Sequence, residues 1–179
     1  MKAIVTWGKE NSFSISRQNL LEGFVLFYQN SPEYPVNVKV FLKGVPDGAH
    51  GFHIHEKKIT KILDGESAKD CCNKLGGHFN VGEKWSEENL DGVKHGHHTG
   101  DLCFNIVSED GLVDFSFVDH KISLYPGENC ILDRSLVIHE DPDDKGEGIY
   151  EEESLTVQSL ITGNAGDRFA CGNIQRIFE

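Results

Sequence analysis

Val36-Asn37-Val38-Lys39-Val40 alternates apolar and polar side chains with a period of two. Successive side chains of a strand point to opposite faces, so this pattern predicts a strand with one face in a core and the other toward water. Short runs rich in Val, Ile, Leu, Phe and Tyr, broken by Gly, Pro, Asn and Asp, recur at residues 2–7, 23–29, 36–42, 49–55, 102–107, 112–118, 135–139 and 169–177, with a weaker candidate at 12–16. No long segment carries a 3.6-residue apolar period; only a helical turn near 159–161 stands out. The pattern predicts an all-β chain, a Greek-key β-barrel or sandwich of about eight antiparallel strands, in a single domain over residues 1–179. Segments 57–93 and 141–167 do not read as strands, and loops of that length inside a compact domain are usually functional.

Composition narrows the function. Lys plus Arg number 17 and Asp plus Glu 29, a net charge of −12. Such a surface repels nucleic acid and anionic membranes, so neither is an expected partner. No apolar run approaches the ~20 residues of a membrane span. Residues 2–7 already read as a strand, so no secretory leader is expected, and no Asn-x-Ser/Thr sequon occurs. These features favour a cytoplasmic protein. The five cysteines, Cys71, Cys72, Cys103, Cys130 and Cys171, form no Cys-x-x-Cys zinc pattern.

Nine histidines are an unusual load, and most are clustered. In Gly51-Phe52-His53-Ile54-His55-Glu56, strand geometry puts His53 and His55 on one face, two imidazoles side by side on a stiff backbone. His78 follows two glycines in Gly76-Gly77-His78-Phe79-Asn80. His95, His97 and His98 crowd the run ending His98-Thr99-Gly100-Asp101, and His139 ends Ser135-Leu136-Val137-Ile138-His139-Glu140. Imidazole suits copper and zinc, and three imidazoles with a carboxylate suit tetrahedral zinc. His50 and His120 have no such partner pattern and read as ordinary surface histidines. No nucleophile elbow surrounds Ser135 and His139, and no Gly-rich phosphate loop follows a strand, so a hydrolase reading fares poorly.

The four histidine segments, together with Thr162-Gly163-Asn164-Ala165-Gly166-Asp167-Arg168-Phe169-Ala170-Cys171-Gly172, resemble the ordered motifs of the intracellular Cu/Zn superoxide dismutase family over residues 2 to about 177. The resemblance implies disproportionation of superoxide to dioxygen and hydrogen peroxide, with copper cycling between Cu(II) and Cu(I). It assigns copper to His53, His55, His78 and His139, and a structural zinc to His78, His95, His98 and Asp101, so that His78 bridges the two. His97 is the rival of His95. The family pattern also pairs Cys72 with Cys171 in a disulfide, makes Asp143 a hydrogen-bond acceptor for imidazoles at both metals, and makes Arg168 the residue that positions the superoxide anion.

A homodimer and a copper chaperone are partners implied by the same resemblance, with the cytosol (host cytosol if viral) as compartment. A copper- or zinc-binding protein without catalysis, on the same fold, is the alternative. The chain also departs from the family pattern. It carries an insertion at 57–70, has Asp133 where interface Gly is usual, and has Ile161 where lysine is common. Its loop Lys145-Gly146-Glu147-Gly148-Ile149-Tyr150-Glu151-Glu152-Glu153 is unusually acidic. Weaker electrostatic steering of superoxide is expected. The acidic loops and altered zinc segment leave room for a protist or large-virus member.

Overall fold

Val36, Val38, Val40 and Leu42 are buried and the residues between them are not, so the alternation in this segment does set its two faces. The computed structural model describes residues 1–8, 13–17 and 21–178. Among these, the strands are β1 (Lys2–Trp7), β2 (Ser14–Ser16), β3 (Glu22–Tyr28), β4 (Val36–Lys43), β5 (Gly48–His55), β6 (Asp101–Ser108), β7 (Leu112–Asp119), β8 (Ser135–His139), β9 (Arg168–Asn173) and β10 (Gln175–Ile177), with two helices, α1 (Ala68–Asn73) and α2 (Glu153–Thr162). They form two five-stranded sheets, β10-β1-β3-β4-β7 and β2-β9-β8-β5-β6. All the ladders within them are antiparallel.

The eight longer strands lie where the periodicity put them, within a residue or two. The predicted run 169–177 is two strands. Ile174 is buried, and its N–H bonds the carbonyl of Arg134 at 2.9 Å; there the chain leaves one sheet for the other. The weak candidate at 12–16 is β2, and Ser12 lies outside the described residues.

The sheets stack face to face. Val5, Val25, Phe27, Val40 and Leu42 from one meet Phe52, Ile54, Ile106, Leu136 and Ile138 from the other. Each such side chain contributes roughly 1.5–3 kcal/mol by leaving water. Strands β5 and β8 are different from the rest: every residue from His50 to His55 and from Ser135 to His139 is buried. Phe52 and Ile54 fill the core, so the alternate residues His53 and His55 must be covered on the other face. The two long loops supply that cover.

Both helices sit in those loops, and sequence reading missed them except for a turn in α2. Neither carries an apolar stripe, the signal on which helix recognition depends. α1 is six residues long; Ser67 caps it by accepting from the Asp70 N–H at 3.1 Å. Its Cys71 and Cys72 join Ile59, Leu75, Val137 and Cys171 in a small second core. α2 buries only Ser159 and ends at Gly163 in the left-handed region, φ 70°. A Cβ at Gly163 would stand 2.3 Å from Asp143 Oδ1 and 2.4 Å from His95 Nε2, so this glycine lets the loop close against the histidine cluster.

Candidate metal centre

Six histidines and two aspartates converge between the outer face of β5 and the two long loops. His53, His55, His78, His95, His98, His139, Asp101 and Asp143 are all buried, none more than 5 % exposed. The ladder shifts register between Phe52 and His53 and again between Ile138 and His139. Bulges of this kind re-aim side chains, and both lie where a strand hands its terminal histidines to the site.

Hydrogen bonds fix which ring nitrogen of each histidine is left with a lone pair, because a carbonyl or carboxylate can only accept. His55 Nδ1 donates to the Gly76 carbonyl at 3.0 Å and His139 Nδ1 to the Gly166 carbonyl at 3.1 Å. Their Nε2 atoms then face each other as lone pairs, 3.4 Å apart. His53 Nε2 donates to Asp143 Oδ2 at 2.5 Å, which leaves Nδ1. His95 Nε2 donates to the same carboxylate at 2.9 Å, and His98 Nε2 to the Val93 carbonyl at 2.9 Å. His78 stands between the groups: its Nδ1 is 2.9 Å from Asp101 Oδ1, and its ring centroid is 4.0 Å from that of His53, 4.9 Å from His55 and 5.0 Å from His95.

The Nδ1 atoms of His53, His95 and His98 are buried and make no hydrogen bond. Those of His95 and His98 lie 3.3 and 3.2 Å from Asp101 Oδ2. A buried polar atom left unpaired costs about 1–3 kcal/mol, and three in one spot need an explanation. Cations supply it. Two sets of donor atoms fall within 4.8 Å of one another: His53, His55, His78 and His139, and His53, His78, His95 and Asp101. The first is the expected copper set. The second departs from the expected zinc set in having His53 where His98 was expected; His98 nonetheless turns its free Nδ1 toward the same carboxylate. An all-nitrogen set suits copper, and a set with a carboxylate suits zinc. His97, the rival of His95, is exposed.

The electrostatics agree with lone-pair donors. Burial first, then the neighbouring imidazoles, push His53 and His55 well below the ordinary histidine range. Burial likewise lowers His78, partly offset by Asp101, and takes His139 to about 3. Burial alone would raise Asp101, but the hydrogen bond from His78 and the adjacent His98 and His95 rings outweigh it and hold the carboxylate far below its usual range. The unfolded chain, with histidine near pKa 6.5, therefore binds protons before the folded one does. The metal-free protein is expected to lose stability as pH falls from about 6.5 toward 3, at up to about 1.4 kcal/mol per pH unit for each such histidine. Urea titrations of the metal-free chain at several pH values check this; a flat profile between about pH 7 and 5 contradicts it.

Asp143 joins the two halves of the centre, since one carboxylate accepts from both His53 and His95. Its backbone is clamped by Asn105 of β6, which accepts from the Asp143 N–H at 2.7 Å and donates to its carbonyl at 2.9 Å. Sequence reading did not find Asn105; a lone Asn on a strand carries no pattern. It also misjudged His50, which is buried. The His50 Nδ1 lies 3.0 Å from the His139 carbonyl and its Nε2 2.8 Å from that of Pro46. His120 is exposed, as expected.

Cys72 and Cys171 form a disulfide, S–S 2.07 Å, while Cys71, Cys103 and Cys130 are free thiols. Arg168 opens β9 and donates from Nη1 to the Cys72 carbonyl and from Nη2 to the Gly76 carbonyl at 2.6 Å. It does not pair with Asp167, whose carboxylate is taken by Arg17 and Lys69.

Known proteins agree with this geometry. The family model for copper/zinc superoxide dismutase matches residues 21–174. The superoxide dismutase [Cu-Zn] of Onchocerca volvulus is 35% identical over 162 residues, 90% of this chain and 93% of the relative. Superoxide dismutase [Cu-Zn] A of Xenopus laevis is 39% identical over 154 residues, 86% and 89% of the two chains. The crystal structure of the clock protein EA4 superposes with a TM-score of 0.70 at 32% identity, covering 98% of this chain and 94% of that one. Sequence, fold and donor set lead to one family: this chain belongs to the copper/zinc superoxide dismutases, oxidoreductases that use copper and zinc to act on superoxide.

Proposed function

We propose that His53, His55, His78 and His139 hold copper, that His78, His95, His98 and Asp101 hold zinc, and that these residues with Arg168 carry out the disproportionation of superoxide. The observation that supports this most is that the two donor sets overlap, at His53 and at His78, and that of these two His78 bonds the carboxylate of the second set. Copper supplies the one-electron couple and zinc a redox-silent charge. The chain does the rest. Asp143 fixes the tautomers of His53 and His95 together, so neither ring can turn its N–H toward a metal. In the metal-free chain Asp101 orients the His78 ring through Nδ1, and the other ring nitrogen would be the one to hold or pass on a proton. Arg168, braced by two carbonyls, presents the rest of its guanidinium to an anion.

Pulse radiolysis on protein loaded with both metals tests the reading. Second-order loss of superoxide far above the spontaneous rate is expected. A rate equal to that of buffer favours the alternative, a non-catalytic metal-binding protein on this fold.

Steering of superoxide should be modest. The net charge is −12, the cations Arg17 and Lys69 are committed to Glu140 and Asp167, and Ile161 brings no charge to α2. The rate is expected to fall less than about threefold as ionic strength rises from about 0.01 to 0.15 M. A tenfold fall contradicts this.

A homodimer, copper delivery by a chaperone, and a cytosolic home for a single domain over 1–179 extend the same reading. No helix among the described residues is long and apolar enough to cross a membrane. The fully buried disulfide cysteines are shielded from reductants, which suits a reducing compartment. Pairing would have to accommodate the insertion. Asn173 of β9 bonds both the N–H and the carbonyl of Ile59, at 2.7 and 2.8 Å, and Lys58 pairs with Asp133 at 2.5 Å. Asp133 itself takes the left-handed conformation, φ 63°, that glycine would favour. Sedimentation equilibrium decides: twice the chain mass supports the dimer and the chain mass overturns it.

A further inference from the structure

Lys121 lies just past the end of β7, outside both donor sets. Asp119 Oδ1 accepts from the Lys121 N–H at 2.7 Å and from the Ile122 N–H at 3.0 Å, which fixes the backbone from which the side chain leaves. The ammonium then reaches across to the other sheet. Lys121 Nζ donates to the carbonyl of His98 at 2.7 Å and to the carbonyl of Asp101 at 2.6 Å. Both acceptors are the main chain of residues whose side chains gather at the carboxylate-containing donor set. The same turn is tied from within. The Asp101 N–H bonds the His98 carbonyl at 3.2 Å, and Asp101 Oδ2 accepts from the N–H groups of Gly96 and His98 at 2.8 and 3.1 Å.

We propose that Lys121 is a positioning residue for zinc: it locks the 98–101 turn in its ligating shape before the metal arrives. This rests on the zinc assignment above. Two short bonds from a charged donor are of the strong kind; they hold the two ends of a turn whose middle is bonded elsewhere, Gly100 to Ile54 and Phe79 and Thr99 to Asn80. Zinc affinity normally includes the cost of ordering its ligands. With the turn held in advance, that cost is already met, and zinc leaves more slowly. Lys121 touches neither metal nor superoxide.

The test is zinc release to a chromophoric chelator from copper- and zinc-loaded protein, with copper content followed in parallel. K121M keeps the length and loses the donors. Its zinc is expected to leave about 10- to 100-fold faster, the range seen when groups that orient metal ligands are removed. Copper retention should be unchanged, and K121R should restore slow release. Zinc release from K121M within about twofold of the parent, or equal acceleration of copper loss, overturns the proposal. If K121M does not fold, K121Q and K121R in metal-free form replace it: faster exchange of the Asp101 amide in K121Q than in K121R is expected, and equal exchange overturns the idea. D101A separates this from the underlying assignment. If D101A retains zinc as the parent does, the zinc ligands are wrong; if D101A empties zinc and K121M does not, Lys121 alone is wrong.

Discussion

His78→Ala should weaken both metal positions and reduce superoxide disproportionation by more than about 100-fold, since loss of groups that merely orient ligands already costs 10–100-fold. The reason is geometric. His78 belongs to both donor sets, with Nδ1 on Asp101 and its ring against His53 and His55. Without it, His53, His55 and His139 remain as three donors for copper, and Asp101 loses a hydrogen bond that holds its carboxylate ionised. Asp101→Ala should behave differently. It should chiefly empty zinc, because three of the four proposed copper donors, His53, His55 and His139, are oriented by Asp143, Gly76 and Gly166, and only His78 by Asp101. Metal analysis after reconstitution distinguishes the two. Equal copper loss in both variants refutes a shared imidazole.

The contrast between these variants also shows what the chain reveals before it folds. His53 and His55 were legible because a strand has a period of two, so their spacing fixes their common direction whatever else the protein does. Phe52 and Ile54 between them told the same story from the core side. The sheets were legible for that reason too. What escaped was held together by main-chain atoms or by single polar side chains. Asn105 clamps Asp143 through its backbone, Lys121 grips two carbonyls, and the buried His50 lies between two more. Such bonds depend on where loops close, and a side chain's identity does not encode that. The helix α2 escaped for a related reason. Its place is set by Gly163 and by the bond from the His95 N–H to the Leu160 carbonyl at 2.9 Å, not by an apolar face. The choice between His95 and His97 likewise needed the loop's path, which buries His95 against Asp143 and Asp101 and leaves His97 exposed.

Cys171→Ala should lower both stability and rate, by two separable routes. The disulfide joins residues 99 apart. In the chain-entropy account, opening a loop of that size costs about 4–5 kcal/mol, which for a domain of this length lowers the melting temperature by roughly 10–20 °C. That part acts on the unfolded chain. The second route acts in the folded protein, where the tether pins the 72–76 segment to β9. The Gly76 carbonyl accepts both from His55 Nδ1, which directs the other nitrogen of that ring toward His139 and the proposed copper position, and from Arg168 Nη2. The Cys72 carbonyl takes Arg168 Nη1. Loosening this segment frees a guanidinium and a copper donor at once, and misplacement of reacting groups by about 1 Å can cost on the order of 100-fold. At a temperature where the variant is still folded and fully metallated, a loss of about 10- to 100-fold in rate is therefore expected. Arg168→Met should reproduce most of that loss without the drop in melting temperature. A C171A variant that melts lower yet turns over at the parent's rate would show that the disulfide stabilises the chain and leaves the site alone.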